Sequence, residues 1–212
     1  MDPDFWHKKW EANEIAFHEG AANPLLVRHF QALGLAPGAR VFVPLCGKSH
    51  DLHWLLAHGF EVAGAELSRL AVEQLFTELG VTPEITEIGP LERFAAEGIT
   101  IFVGDIFDLT RETVGPVVAI YDRAALVALP EAMRERYAGH LVHLTHSARQ
   151  LLITFDYDQT LTVGPPFAVD EHEVRRLYGA AYHPTLLERH PLKGGIRGKE
   201  PVVEDVWKLE RR

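Results

Sequence analysis

A single cysteine, Cys46, stands among 212 residues. One thiol cannot close a disulfide within the chain, and no paired-cysteine zinc pattern can be written. Such sparing use of cysteine suits a reducing compartment. No apolar run nears the ~20 residues that a membrane-spanning helix needs. The opening Met1-Asp2-Pro3-Asp4-Phe5-Trp6 has neither the basic start nor the apolar stretch of a signal peptide. The expectation is a cytoplasmic protein with no membrane partner. Basic charge is also in deficit, since 21 Lys and Arg stand against 30 Asp and Glu for a formal charge of −9. A chain of this sign repels phosphate backbones. Its basic pairs, Lys8-Lys9, Arg175-Arg176 and Arg211-Arg212, are too short to override that. Nucleic acid is not an expected partner.

Glycine-rich nucleotide loops are missing as well. No G-x-G-x-x-G follows a predicted strand, which argues against a nicotinamide dehydrogenase. Gly47-Lys48-Ser49 looks like the end of a P-loop, but that motif needs a glycine five residues before Gly47, and position 42 is Phe. His50 and His53 would make half a metal site. With no clear third ligand they read as surface histidines, and no metal is expected. Cys46 has no evident activating neighbour and reads as a small residue packed in a tight turn.

What is present has a normal globular balance, 47% hydrophobic and 24% charged. With no repeat, linker or low-complexity tract, residues 1–212 are expected to form one domain, and a monomer. Apolar runs at 40–44, 60–66, 99–103, 117–121 and 150–155 read as buried strands. Amphipathic helices lie between them. Asn23-Pro24 opens one, with Leu25, Leu26, Phe30 and Leu33 on one face and Gly34 behind. Ser49 and Ser68 cap two more, stopped by Gly59 and Gly80. Others start near 130 and cover 170–178. Two late strands, near 185–188 and 202–209, have no clear helix between them and predict an antiparallel edge hairpin. The expected fold is α/β and Rossmann-like, with a mostly parallel seven-stranded sheet covered on both faces.

In such a sheet the ligand sits beyond the carboxyl ends of the strands. The first end carries Pro44-Leu45-Cys46-Gly47-Lys48-Ser49, where Gly47 lets backbone approach a ligand. Glu66 lies nineteen residues beyond Gly47, a spacing that suits a carboxylate on two ribose hydroxyls. It would equally serve as a charge at the start of the Ser68 helix. Gly104-Asp105-Ile106-Phe107 offers groups to bond and sandwich an adenine, though alone it reads as a simple turn. Asp122-Arg123 is either a surface ion pair of little worth or a guanidinium aimed at an anion or polarised sulfur. Trp6 and Trp10, in a segment with Ile15 and Phe17, read as a helix packed by its aromatic face or as a lid that excludes water.

The run Val41-Phe42-Val43-Pro44-Leu45-Cys46-Gly47-Lys48-Ser49 resembles the cofactor loop of thiopurine S-methyltransferases. The resemblance continues through Val62-Ala63-Gly64-Ala65-Glu66-Leu67-Ser68, Gly104-Asp105-Ile106-Phe107-Asp108-Leu109 and Tyr121-Asp122-Arg123-Ala124-Ala125-Leu126-Val127-Ala128-Leu129. Gly164-Pro165-Pro166-Phe167 and Phe5-Trp6…Trp10 also match, in the right order and over almost the whole chain. The length is similar to that of the bacterial branch.

The resemblance implies a class I methyltransferase fold with S-adenosylmethionine as methyl donor, a ligand without phosphate that tolerates a glycine-poor loop. It implies cofactor contacts from Trp10, Leu45, Glu66, Ile106 and Arg123, and substrate contacts from Arg123 and Arg197. Around Arg197 the sequence departs from the family pattern. Residues 1–22 would be the lid segment. The implied reaction is an in-line attack by the sulfur of an aromatic or heterocyclic thiol, with no general base assigned and Asp122 a possible proton acceptor. Other expectations compete with this one: methylation of selenium or tellurium compounds in detoxification, or a non-catalytic sensor of adenosyl ligands.

Overall fold

The computed structural model describes residues 3–12, 14 and 20–212. Ile15 and Phe17, expected in the lid segment, lie outside the described residues. The apolar runs rich in Val, Ile and Ala become the centre of the sheet. They are β1 (Arg40–Val43), β2 (Glu61–Glu66), β5 (Ile99–Val103), β6 (Ala119–Arg123) and β7 (Arg149–Asp156). Each pairs in parallel with its neighbour in the order β5, β2, β1, β6, β7. Burial on both faces explains their near-continuous apolar character.

Antiparallel strands extend both sides of this core. The expected edge hairpin forms from β8 (Tyr182–Pro191) and β9 (Val203–Arg211), with β9 seated against β7. On the other side, β3 (Glu84–Ile88) and β4 (Leu91–Ala96) form a hairpin turning at Gly89-Pro90, and β4 pairs with β5. The full order is β3-β4-β5-β2-β1-β6-β7-β9-β8, so the sheet has nine strands rather than the seven expected. The extra pair was hidden by its residues. β3 is largely exposed, and β4 buries Leu91 and Phe94, three residues apart, so neither shows the alternation of a half-buried strand.

Helices cover the two faces. The face carrying α2 (Pro24–His29), α3 (His50–Ala57) and α4 (Arg69–Leu79) buries Leu25, Leu26, Leu52, Leu55, Val72 and Leu75. Each fully buried leucine contributes about 1.5–3 kcal/mol relative to exposure. The opposite face carries α5 (Arg111–Val114), α6 (Glu131–Leu144) and α7 (Glu171–Tyr178), with Tyr137, Leu141, Val174 and Tyr178 inward. The predicted caps form. Asn23 accepts from Leu25 N–H at 2.8 Å, Ser49 from Asp51 N–H at 3.1 Å and Ser68 from Ala71 N–H at 3.3 Å. A short N-terminal helix, α1 (Pro3–Glu11), carries Trp6 and Trp10. No helix among the described residues is long and apolar enough to cross a membrane.

Candidate functional site

Strand order reverses between β1 and β6. β1 leads outward to β2 and β5, whereas β6 leads the other way to β7. At the carboxyl ends of these strands lies a cavity of about 960 Å³. All six residues singled out above line it: Trp10, Leu45, Glu66, Ile106, Arg123 and Arg197. A second depression, of about 830 Å³, opens at the amino ends of β6 and β7 beside Arg111, His146 and Arg149, and holds none of them.

The loop after β1 is tightly wound. Leu45 and Gly47 take left-handed backbone angles, with φ of 45° and 53°. For leucine this costs roughly 1–2 kcal/mol, which the surrounding contacts must hold in place. Cys46 N–H donates to the Ala65 carbonyl at 3.0 Å, tying the loop to β2. Gly64 makes the necessary space, since a Cβ there would stand 2.9 Å from the Cys46 sulfur and 2.6 Å from Ile101 Cδ1. Burial pushes the Cys46 thiol well above its ordinary range, so it stays a protonated packing group.

Glu66 ends β2 and is nearly buried. Its Oε2 accepts Gly47 N–H and its Oε1 accepts Ser68 N–H, each at 2.8 Å. The carboxylate therefore joins the β1 and β2 loops as well as starting the Ser68 helix. Burial raises its carboxyl above the usual range, opposed by those backbone N–H groups. Each oxygen retains lone-pair capacity for a ligand hydroxyl.

After β5, Asp105 accepts Phe107 N–H at 2.9 Å and caps a short turn, Ile106–Asp108. This presents Ile106, buried, and Phe107, half-buried, to the cavity. Arg136 lies 3.7 Å over the Phe107 ring and His140 packs edge-on against it, which fixes the ring's position.

Asp122 and Arg123 are the last two residues of β6, rather than following the strand as expected, so they point to opposite faces. Only Arg123 lines the cavity. Asp122 is fully buried and accepts Tyr137 O–H at 2.7 Å and Leu126 N–H at 3.1 Å. The surface ion pair between these neighbours is thus replaced by a buried acceptor beneath an exposed-side guanidinium. The turn that follows bends through Ala124, at φ 63°. Burial lifts the Asp122 carboxyl to about 6, against the pull of its hydrogen bonds.

Arg197 reaches the same cavity from the β8–β9 connection. Its guanidinium donates to Thr162 Oγ1 at 3.2 Å and to the Pro165 carbonyl at 3.1 Å. It therefore holds the loop bearing Pro165 and Pro166, which also line the cavity. Tyr157 O–H supports that loop by donating to the Pro166 carbonyl at 2.7 Å.

α1 covers the opening from another side. Trp10 is 4% exposed, and its ring lies so close to Gly47 that a Cβ there would stand 3.0 Å from Trp10 Cζ2. The helix packs Trp10 inward, and Trp6 and Trp10 line the cavity.

Sequence reasoning passed over Asp51, Phe155, Leu192, Ile196 and Glu204, which also line the cavity. Asp51 reads as an ordinary acidic residue in a first helical turn. Phe155 lies near the end of β7, where it reads only as part of an apolar strand, and Leu192, Ile196 and Glu204 belong to the antiparallel edge, where no local motif marks them. Among the described residues no group of three His, Cys, Asp or Glu side chains is placed to hold a metal ion.

The geometry can be set beside known proteins. The family model described as thiopurine S-methyltransferase matches residues 1–212. A thiopurine S-methyltransferase of Xanthobacter autotrophicus is 60% identical over 212 residues, covering 100% of both chains. That of Gluconobacter oxydans is 53% identical over 205 residues, covering 97% of this chain and 93% of its own. Among solved structures, a Burkholderia thailandensis 1,6-didemethyltoxoflavin-N1-methyltransferase with bound S-adenosylhomocysteine aligns at TM-score 0.67. It is 15% identical and is matched over 99% of this chain and 86% of its own. The magnesium protoporphyrin IX methyltransferase of Synechocystis aligns at TM-score 0.64 and 16% identity, over 100% of both chains. At those identities the structural likeness is one of fold. The chain belongs to the thiopurine S-methyltransferase family.

Proposed function

We propose that this chain transfers a methyl group from S-adenosylmethionine to the sulfur of aromatic and heterocyclic thiols, thiopurines among them. The observation that carries the site assignment is the convergence of Trp10, Leu45, Glu66, Ile106, Arg123 and Arg197 on one cavity at the switch point of the sheet. The lining suits the donor. Glu66 offers a buried carboxylate to the ribose diol, while Ile106 and Phe107 offer an apolar slot to adenine. The β1 loop provides a close backbone wall without the repeated glycines that a pyrophosphate requires. Bound S-adenosylmethionine supplies an electrophilic methyl group.

The protein's own contribution is position and field. Holding donor and acceptor in line can supply about 7–11 kcal/mol of the barrier. Arg123, beside the acceptor, favours its sulfur as the anion, a far better nucleophile than the thiol. A thiopurine delocalises that charge into its ring, so the sulfur proton is lost to solvent before the acceptor is enclosed, without a dedicated base. The new carbon–sulfur bond forms as the donor's bond to the methyl breaks, and S-adenosylhomocysteine departs. Trp10 and α1, as a lid, keep water from the reacting sulfur. The acidic balance and the single buried thiol support action on small molecules in a reducing cytoplasm. One chain's own segments complete the cavity, which supports a monomer.

The test is mass-spectrometric detection of methylated product from mercaptopurine and S-adenosylmethionine. Product is expected with the wild type and should fall sharply in Arg123→Ala. Absence of product from an enzyme that binds S-adenosylhomocysteine would overturn the thiol acceptor. It would direct the search to selenium and tellurium compounds or to a sensing role.

A further inference from the structure

The cavity holds a second buried carboxylate, which faces the positive end of a helix and two neutral donors but no full positive charge. Asp51, in the first turn of α3, is 2% exposed and lines the cavity. Its Oδ1 accepts Asn23 N–H at 2.6 Å and its Oδ2 accepts Tyr121 O–H at 2.9 Å. Both donors are neutral. Among the described residues no Lys or Arg forms a salt bridge with it, and Lys48, three residues before it, is bound to Glu78 at 2.6 Å. Burying a carboxylate costs several kcal/mol, which the two neutral hydrogen bonds and the positive end of α3 offset without supplying a counter-charge. An asparagine could accept Asn23 N–H and donate to the Tyr121 hydroxyl oxygen, with the hydroxyl turned, and would carry no desolvated charge. The arrangement thus presents the cavity with a fixed negative charge, suited to a positive charge that arrives with a ligand.

Its place in the cavity says which charge. Asp51 stands behind the β1 loop and against Tyr121 of β6, between the two strands where the order of the sheet reverses. The β1 loop itself, Val43-Pro44-Leu45-Cys46-Gly47-Lys48, offers no carboxylate. Of the other acids lining the cavity, Glu66 and Asp105 follow β2 and β5, on the nucleoside side. Glu204 sits on the antiparallel β9, and Glu14 lies beyond α1. We propose that Asp51, held by Asn23 and Tyr121, receives the α-ammonium of the methionyl tail of S-adenosylmethionine. This rests on the cofactor reading above and extends it to a residue the sequence did not suggest. Each Asp51 oxygen accepts one hydrogen bond within the protein and has a lone pair left for an N⁺–H donor.

The test compares S-adenosylhomocysteine with its deamino analogue, which keeps the nucleoside, thioether and carboxylate and lacks only the ammonium. Both are titrated calorimetrically into wild type and Asp51→Asn. Wild type should prefer the ammonium-bearing ligand by about tenfold or more, the worth of a hydrogen bond between charged groups. Asp51→Asn should bind the two ligands within roughly twofold of each other, its affinity for the deamino analogue being near wild type. A preference that survives in Asp51→Asn overturns the assignment, as does an equal weakening of both ligands, the mark of a merely structural role. Wild type alone is decisive if the variant does not fold, because equal affinity for the two ligands also overturns it. Asp51→Glu, which keeps the charge, should retain the preference. Wild type that binds neither ligand refutes the cofactor reading itself, an outcome distinct from binding both equally.

Discussion

Replacing Glu66 by glutamine separates what this residue does for the fold from what it does for the ligand. The carboxylate now accepts Gly47 N–H on one oxygen and Ser68 N–H on the other. An amide accepts through only one atom, so its NH₂ would face the remaining N–H. One orphaned buried donor costs about 1–3 kcal/mol. Against this, burial raises the Glu66 carboxyl, so the ionised side chain already carries a desolvation cost that the amide avoids. The two effects oppose each other, and the melting temperature of the free protein should fall by only a few degrees, at roughly 2–4 °C per kcal/mol for a chain of this size. The ligand loses more. Two hydrogen bonds from ribose hydroxyls to a carboxylate, at about 1.5–3 kcal/mol each, become at best one to a neutral oxygen. The Kd for S-adenosylhomocysteine should therefore rise by about 10²-fold or more. Calorimetric titration beside thermal melts of the free protein reads both quantities. An affinity within about threefold of wild type would refute the ribose assignment. A large fall in melting temperature would show instead that Glu66 serves mainly to join the loops. Glu66→Ala should weaken binding similarly but destabilise more, because it releases both N–H groups.

Three further outcomes follow from the same geometry. Arg123→Lys keeps the charge but loses the planar fork, and should lower kcat/KM on mercaptopurine by about tenfold or more; wild-type kinetics would remove Arg123 from the site. Gly47→Ala forces a side chain onto a left-handed backbone and toward Trp10, at a cost of about 1–2 kcal/mol. It should lower both the melting temperature and the affinity for S-adenosylhomocysteine, and no change in either would mean that Trp10 does not rest on this loop. For Asp122 the folded carboxyl, at about 6, lies above its ordinary 3.8. Its contribution to stability is therefore full below pH ~3.8 and is lost as pH rises through about 6. Asp122→Asn lacks this titration. In urea unfolding, wild type should lose on the order of 3 kcal/mol relative to the variant between pH 3.5 and 7, and parallel pH profiles would contradict the burial argument.

Most of the parallel core was legible because its strands obey one rule, burial on both faces, and so read as plain apolar runs. Helix boundaries were legible where a cap names them, as at Asn23, Ser49 and Ser68. The β3–β4 hairpin was not, since an exposed outer strand has little hydrophobic pattern to show, although Gly89-Pro90 was a usable turn signal. The β6 boundary fell two residues late because Asp122 and Arg123 are polar. Only the fold reveals that one is sealed beneath the sheet while the other faces the cavity. At the site, Glu66 could be found from spacing and Trp10, Leu45, Ile106, Arg123 and Arg197 from family likeness. Asp51 could not, because its meaning lies in contacts with Asn23, 28 positions away, and Tyr121, 70 away.

The cavity's walls come from two separate parts of the sheet. The side formed by the β1, β2 and β5 ends is woven into the parallel core, where Glu66 and Cys46 bind neighbouring loops together. The wall that carries Pro165, Pro166, Leu192, Ile196 and Arg197 hangs from the β7–α7 and β8–β9 connections; its members bind one another, and Phe167 and Val169 N–H anchor it to the Val127 and Phe155 carbonyls. Leu192, Ile196 and Arg197 take no part in the hydrogen bonds by which Glu66 and Cys46 hold the other wall. On the assignment proposed above, changes in that wall would act on the choice of acceptor, and changes in the woven side on the hold upon the methyl donor.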